Sequence, residues 1–333
     1  MSKELAIYKK YRIAELQNIF NINVMCLYNT FVTNVKNVQN SFQTLRIKQI
    51  SVNNLINQYN TNVEILTSEL NKCIQKIQNY IPKQISTNKN KKALLIGINY
   101  TGTKDELKGC INDANSIKER ISNKGFNNIT VMTDLTSKKA TKANILEEFK
   151  NLLSNSQEGD LLYFLYSGHG TYLIDKNNDE TTGYDQCIVP CDLNIITDDE
   201  LKTLIQTYLK PNVTLFAMFD SCFSGSVLDL KYQYMDSLNY DNYSENNKEL
   251  ETNGDVFMIS GCTDYQTSAD ANINNKANGA MTWSFLEALK QNPNCSWREL
   301  VKKMRDLLRT SQMSQIPQFS SGTFENIDGQ VFI

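Results

Sequence analysis

Apolar residues in the first quarter of the chain recur with alternating spacings of three and four. Reading back from Tyr80 they fall at Ile77, Cys73, Leu70, Leu66, Val63, Tyr59, Ile56 and Val52. Beyond polar Gln49 they continue at Leu45, Phe42, Val38, Val35, Phe31, Tyr28 and Val24. Such a seam lays one narrow apolar stripe along a long helix. No glycine interrupts it before residue 90, while many asparagines occupy its other faces, where they are poor helix formers. The helix therefore depends on a partner: a second segment of the same arm, another copy of the chain, or a different protein. A break at Asn53-Asn54 is expected to fold this arm, residues 1–81, into a hairpin or coiled coil.

Residues 82–91, with Pro82 and Asn88-Lys89-Asn90, read as a polar linker. From 92 to 333 the period changes. Short aromatic and β-branched runs predict strands near 92–99, 129–133, 160–167, 213–220 and 255–261. Helical patterns near 112–122, 141–154, 198–208, 280–291 and 296–309 alternate with them. The continuous apolar runs Leu161-Leu162-Tyr163-Phe164-Leu165 and Val213-Thr214-Leu215-Phe216-Ala217-Met218-Phe219 suit strands buried on both faces. The expected architecture is an α/β/α sandwich on a mostly parallel central sheet, preceded by the helical arm. A stretch at 228–254, rich in Asn, Asp and Tyr, is expected to be an exposed loop between two parts of that domain.

Charge and composition narrow the function classes. With 34 Lys and Arg against 36 Asp and Glu, the net charge of −2 gives no global attraction to nucleic acid. Met1-Ser2-Lys3-Glu4 lacks the apolar core of a secretory signal, and no run is long enough to span a bilayer, so no membrane role is expected. Eight scattered cysteines form no secreted disulfide framework, which points to a reducing, cytoplasmic setting. Cys187 and Cys191 lack a second pair or a nearby histidine, so zinc is not expected.

The single histidine sits in Tyr166-Ser167-Gly168-His169-Gly170, directly after one buried run; Asp220-Ser221-Cys222-Phe223-Ser224-Gly225 follows the other. Adjacent parallel strands present groups at their carboxyl ends to one crevice, so His169 and Cys222 are the candidate base and nucleophile. The flanking glycines let the chain turn sharply and leave amides to face an oxyanion. Gly168 N–H and Cys222 N–H are the candidates. Strand alternation puts Asp220 on the same side as Cys222. Asp113 follows the first strand and reads equally as the cap of a helix. Between and after the two boxes lie Asp175, Asp179, Glu180, Asp185, Asp192, Asp198, Asp199, Glu200 and Asp229, an excess of hard oxygen donors that on composition alone suits a solvated acidic loop.

These boxes resemble those of the metacaspases, caspase-clan cysteine peptidases with a Ser-Gly-His-Gly box and an Asp-Ser-Cys box. The resemblance runs from about Lys92 onward through Leu95-Ile96-Gly97-Ile98-Asn99-Tyr100, Leu107-Lys108-Gly109-Cys110-Ile111-Asn112-Asp113-Ala114, Gly183-Tyr184-Asp185 and Ile259-Ser260-Gly261-Cys262. It implies a caspase-like fold, a Cys222–His169 dyad, and a pocket lined by Cys110, Asp113, Ser167 and Asp220 that receives the residue before the scissile bond. Two carboxylates there favour Arg or Lys. The resemblance further implies calcium held by Asp185, Asp198, Asp199 and Asp229 as an activator, and a type I layout with a monomeric catalytic domain. Protein or peptide substrates with Lys or Arg before the cut follow. Lys89, Lys231 and Lys248 are then candidate sites of self-cleavage. Two other readings stand beside this one: a regulatory scaffold acting through the arm, and a Cys–His hydrolase of a non-peptide amide.

Overall fold

A computed structural model describes residues 3–79, 90–174, 183–222, 227–234, 243–245, 251–261, 270–273, 276–323, 327 and 329–333. The chain divides into two units, Met1–Ile81 and Pro82–Ile333.

The first unit is a pair of helices, α1 (Lys3–Asn40) and α2 (Leu45–Asn79). They run antiparallel: Tyr59 meets both Phe31 and Tyr28, with ring centres 5.2 and 6.4 Å apart, and Lys9 donates to the carbonyl of Gln78. Part of the seam is therefore covered within the arm, while its members Tyr28, Phe42, Leu45 and Ile56 stay exposed. The turn falls at residues 41–44, however, and not at Asn53-Asn54, which lie inside α2. Ser41 hydrogen-bonds back to the carbonyl of Val38, offering the backbone an alternative to the next helical turn. Asn53 is kept helical by Gln49, whose amide donates to it across one turn.

The second unit contains β1 (Lys91–Gly97), α3 (Cys110–Ser122), β2 (Asn128–Thr133), α4 (Lys142–Ser154), β3 (Leu161–Ser167), β4 (Gly170–Ile174), β5 (Tyr184–Ile188), β6 (Ile196–Thr197), α5 (Asp198–Tyr208), β7 (Thr214–Asp220), β8 (Tyr232–Tyr234), β9 (Tyr243–Glu245), β10 (Asp255–Ser260), β11 (Asp270–Ile273), β12 (Lys276–Gly279), α6 (Ala280–Gln291), α7 (Trp297–Thr310) and β13 (Gln318–Ser321). The main sheet has the order β2-β1-β3-β7-β10-β13-β8-β9. Its first five strands pair in parallel, and β13, β8 and β9 extend it in antiparallel fashion.

Alternation along these strands builds two cores. Leu95, Tyr163, Leu165, Phe216, Met218, Phe257 and Ile259 face α3, α6 and α7. Their neighbours Leu94, Ile96, Leu162, Phe164, Leu215, Ala217 and Met258 face α4 and α5. This is the expected α/β/α sandwich, and the burial of both faces is why the strands read as continuous apolar runs. Small strands β4, β5 and β6 form a separate antiparallel sheet beyond β3.

Within the stretch 228–254, expected to be an exposed loop, residues 228–234 are largely buried. Leu228, Leu230, Tyr232 and Tyr234 are buried, because β8 joins the main sheet beside β13 and Tyr234 packs on Phe319. Lys231 and Gln233 between them are less buried, and these polar positions hide the strand.

Candidate active site

His169 and Cys222 lie just beyond the ends of β3 and β7. These strands pair with Ser167 opposite Asp220, so both residues stand two positions past that rung. Gly170, the first residue of β4, presses against Cys222: a methyl group added at Gly170 would lie 2.0 Å from the Cys222 carbonyl oxygen and 3.3 Å from its amide nitrogen. Only glycine permits that approach. The thiol-bearing residue is partly exposed, as is the histidine.

The imidazole is anchored at one nitrogen. His169 Nε2 is 2.7 Å from the carbonyl oxygen of Asp105. A carbonyl only accepts, so Nε2 carries the proton and the neutral ring presents its lone pair at Nδ1. The ring also stacks on Tyr100, with centroids 4.5 Å apart.

Gly168 N–H donates to the carbonyl of Asp220 at 3.3 Å, continuing the β3–β7 ladder. The glycine that borders the Cys222 amide is Gly170, which sequence reasoning did not single out; the Gly after the histidine was its only signal.

Asp113, Ser167 and Asp220 are brought together with two further residues. Ser167 Oγ donates to Asp113 at 2.8 Å, and Gly279 N–H donates to both oxygens of Asp113 at 2.9 and 3.0 Å. Thr282 donates to Asp220 twice, through N–H and Oγ, each at 2.8 Å. Helix α3 begins at Cys110 with Gly109 as its cap, so Asp113 sits inside the first turn and is no N-cap. Its side chain turns instead to the neighbouring strands' ends. The two carboxylates are only 0% and 3% exposed. Cys110 is buried one helical turn earlier, close enough to be felt by the hydroxyls of Tyr100 and Tyr166. Gly261, of the Ile259-Ser260-Gly261 run, borders Asp220: a methyl there would lie 3.5 Å from Oδ1. Cys262 lies outside the described residues.

Of the four acidic residues of the calcium set, Asp185, Asp198 and Asp229 influence one another, and the Asp199 amide donates to Asp198. Asp198 opens α5 and is buried; it accepts from the amides of Gln186 at 2.6 Å and Asp199 at 2.9 Å. Burial first, then the neighbouring Asp229 and Asp185, push its carboxyl up to about 8 against the pull of those amides. The same negative cluster reaches Cys187, whose thiol is pushed up to about 12 by burial, Asp198 and Asp185. Asp229 adopts φ +44 and meets Lys202 Nζ at 3.6 Å. Asp199 lines a shallow hollow with Leu146, Thr203 and Leu204. Among the described residues no three carboxylates, thiols or imidazoles stand close enough to hold an ion. The chemistry of these donors is compatible with a divalent cation, because a carboxyl raised by burial and then by neighbouring carboxylates is one whose proton a dication would displace.

Lys231 directly precedes β8, with Nζ 6.0 Å from the centre of the Tyr232 ring. Lys89 and Lys248 lie outside the described residues. No described helix is long and apolar enough to cross a membrane.

Comparison with known proteins places this geometry. The family model "Metacaspase, peptidase C14 domain" matches residues 91–231. Metacaspase-1A of Aspergillus terreus is 38% identical over 282 residues, covering 69% of this chain and 70% of its own length. Metacaspase-1 of Candida albicans is 35% identical over 304 residues, 74% of this chain and 68% of its own. The crystal structure of a Geobacter sulfurreducens protein shares the fold with a TM-score of 0.55 and 25% identity, over 73% of this chain and 98% of that one.

Proposed function

Because the chain belongs to the metacaspase family of cysteine peptidases, we propose that it cleaves peptide bonds after Arg or Lys through Cys222 and His169, that calcium activates it, and that it processes itself. The observation carrying this reading is the convergence, at one end of β3 and β7, of the Gly170–Cys222 contact with the Asp113–Gly279–Asp220 carboxylate pocket.

The chemistry follows from the positions. The Cys222 thiol gives its proton to His169 Nδ1, which is the unprotonated nitrogen because Nε2 is committed to Asp105. The thiolate attacks the carbonyl carbon, forming a C–S bond, and the negative charge moves to the carbonyl oxygen, where the Cys222 amide and the Gly170 turn lie nearest. As the tetrahedral adduct collapses, the C–N bond breaks and the imidazolium delivers its proton to the departing amine. Water then adds to the thioester with His169 as base, and the carboxylic acid and the free thiol are regenerated.

Asp113 and Asp220 provide two acceptors for one cation, which favours the planar guanidinium of Arg or the ammonium of Lys and repels Asp. Asp185, Asp198, Asp199 and Asp229 would hold calcium, which would supply positive charge to an acidic cluster at the start of α5. Lys231 is the described candidate for self-cleavage, and Lys89 and Lys248 are the other two. The arm leaves Tyr11, Met25, Ile50 and Ile65 exposed on its outer faces, and this favours an attachment role to a partner in addition to catalysis.

Fluorogenic peptides ending in Arg, Lys or Asp, assayed with calcium and with chelator, test the reading. Cleavage of the Arg and Lys peptides alone, lost in chelator and in Cys222→Ala, is expected. Equal cleavage of the Asp peptide refutes the pocket, and full activity in chelator refutes the calcium switch. Identical mass ladders in wild type and Cys222→Ala refute self-processing.

A further inference from the structure

The catalytic reading leaves unexplained a pair of buried phenols beneath the histidine. Tyr100 closes the run after β1, and Tyr166 is the residue before Ser167 in β3; their hydroxyls are 3.1 Å apart. His169 N–H donates to Tyr100 Oη at 2.8 Å, and Tyr100 donates to the carbonyl of Val189 at 2.5 Å. Val189 N–H in turn donates to Tyr166 Oη at 3.1 Å, and Tyr166 donates to the carbonyl of His169 at 2.8 Å. Each phenol thus takes a proton from one peptide and passes its own to the other. The circuit closes with one hydroxyl proton per tyrosine, and a direct Val189 N–H to His169 carbonyl bond of 3.0 Å runs beside it.

The loop that carries Tyr100 is itself held in an unusual shape. Tyr100 has φ +53, a region a bulky residue adopts only when its surroundings impose it. The carboxylate of Asp134 imposes it here, accepting from the amides on either side, Asn99 at 3.1 Å and Thr101 at 2.9 Å. Leu107 N–H closes the loop onto the Asn99 carbonyl at 2.8 Å. Asp105, whose carbonyl takes His169 Nε2, lies within that same loop. Gly168 completes the fit: a methyl group there would lie 2.8 Å from the Tyr166 hydroxyl and 2.9 Å from that of Tyr100. Burial raises both phenols well above their ordinary range, so both remain protonated and able to donate at any assay pH.

We propose that Tyr100 and Tyr166 are positioning residues that clamp the His169 peptide to Val189, and that the 99–107 loop grips the imidazole so that Nδ1 is aimed at the thiol. This rests on the Cys222–His169 reading. The clamp acts through His169 and touches no substrate, so its loss alters the proton transfer and leaves binding alone. In Tyr100→Phe the His169 amide loses its acceptor while the ring contact remains. A misaligned base costs about 10- to 100-fold in rate.

The test measures kcat and KM on an Arg peptide together with the pH dependence of Cys222 alkylation, read by mass spectrometry on the peptide carrying that cysteine. The variants are Tyr100→Phe, Tyr166→Phe, the double variant and His169→Ala. Tyr163→Phe serves as control, because it removes an equally buried hydroxyl, one that meets Met218 sulfur, far from the histidine. The expected result is a fall in kcat of about 10- to 100-fold with KM within about twofold in Tyr100→Phe. Its alkylation midpoint should move toward that of His169→Ala, while Tyr163→Phe behaves as wild type. Should Tyr166→Phe fail to fold, Tyr100→Phe decides alone. Wild-type kcat and alkylation profile in Tyr100→Phe would overturn the clamp. If His169→Ala itself leaves the alkylation profile unchanged, the dyad reading fails and the clamp with it, which separates the two failures.

Discussion

Replacing Gly279 by Ala tests the carboxylate pocket with a single methyl group. Gly279 precedes α6 with φ −65 and ψ 136, ordinary extended backbone that alanine adopts freely. Conformational strain therefore contributes nothing, and exchanging a Gly N-cap for Ala costs about 0.5–1 kcal/mol. What the methyl meets is the pocket: it would lie 2.2 Å from Asp220 Oδ2 and 2.6 Å from Asp113 Oδ2. Ordinary carbon–oxygen contact is about 3.3 Å, so the two carboxylates must retreat by roughly 1 Å between them and the strand. Asp220 cannot retreat while keeping both 2.8 Å bonds from Thr282, nor Asp113 while keeping those from Ser167 and Gly279. Losing one or two charge-assisted bonds at about 1.5–3 kcal/mol each amounts to about 3 kcal/mol. Paired with the displaced acceptors for the substrate cation, this predicts a fall in kcat/KM on Arg and Lys peptides of about 100-fold. The assay is initial-rate kinetics on Arg-, Lys- and norleucine-ended peptides, with a urea midpoint measured alongside. Discrimination between Arg and norleucine should collapse in Gly279→Ala. A kcat/KM on the Arg peptide within twofold of wild type, with discrimination intact, would refute the argument that these carboxylates bind the substrate cation.

Three further outcomes follow from the same structure. Asp134 is pulled up by burial but held below the usual carboxylate range by the amides of Thr101 and Asn99, so its contribution is present above the unfolded value of about 3.9 and is lost as the pH falls; Asp134→Asn should lower stability at pH 7 by about 1–2 kcal/mol, the gap to wild type closing toward acid in urea titrations. Asp198 has the opposite sign: with its carboxyl at about 8, the calcium-free fold loses stability as the pH rises from about 4 toward 8, and Asp198→Asn in chelator should be more stable than wild type at pH 8 by on the order of 3 kcal/mol. Equal urea midpoints for those two proteins across pH 5–9 would count against the buried acidic cluster. Lys92 meets the fully buried Asp160 carboxylate at 2.9 Å at the entrance of the sheet, and Lys92→Met should cost about 1–3 kcal/mol, read as a lower denaturation midpoint with unchanged KM.

The strand and helix pattern was legible from residue 92 onward because strands buried on both faces leave unbroken apolar runs. The seam of the arm was equally plain. The position of its turn was not: Asn53-Asn54 and Ser41 carry similar local signals, and only the packing of Tyr59 against Phe31 and Tyr28 selects residues 41–44. The short strand β8 was hidden because it is only three residues long, with polar Gln233 at its centre, and its partner, β13, lies more than eighty residues away.

At the site, sequence by itself determined the chemistry available: one histidine, one cysteine in a matching box, and an excess of carboxylates, since composition fixes which groups exist. Tertiary structure decided their roles, because roles depend on what a group faces. It showed Asp113 inside the first turn of α3 and not at its cap, brought Gly170 against Cys222, and set Gly279 and Thr282 against the pocket from more than fifty residues away in sequence. It also assembled Tyr100, Tyr166, Asp105 and Asp134 around the imidazole. None of these pairings is local, and hydrogen bonds between distant segments leave no periodicity for a linear pattern to show.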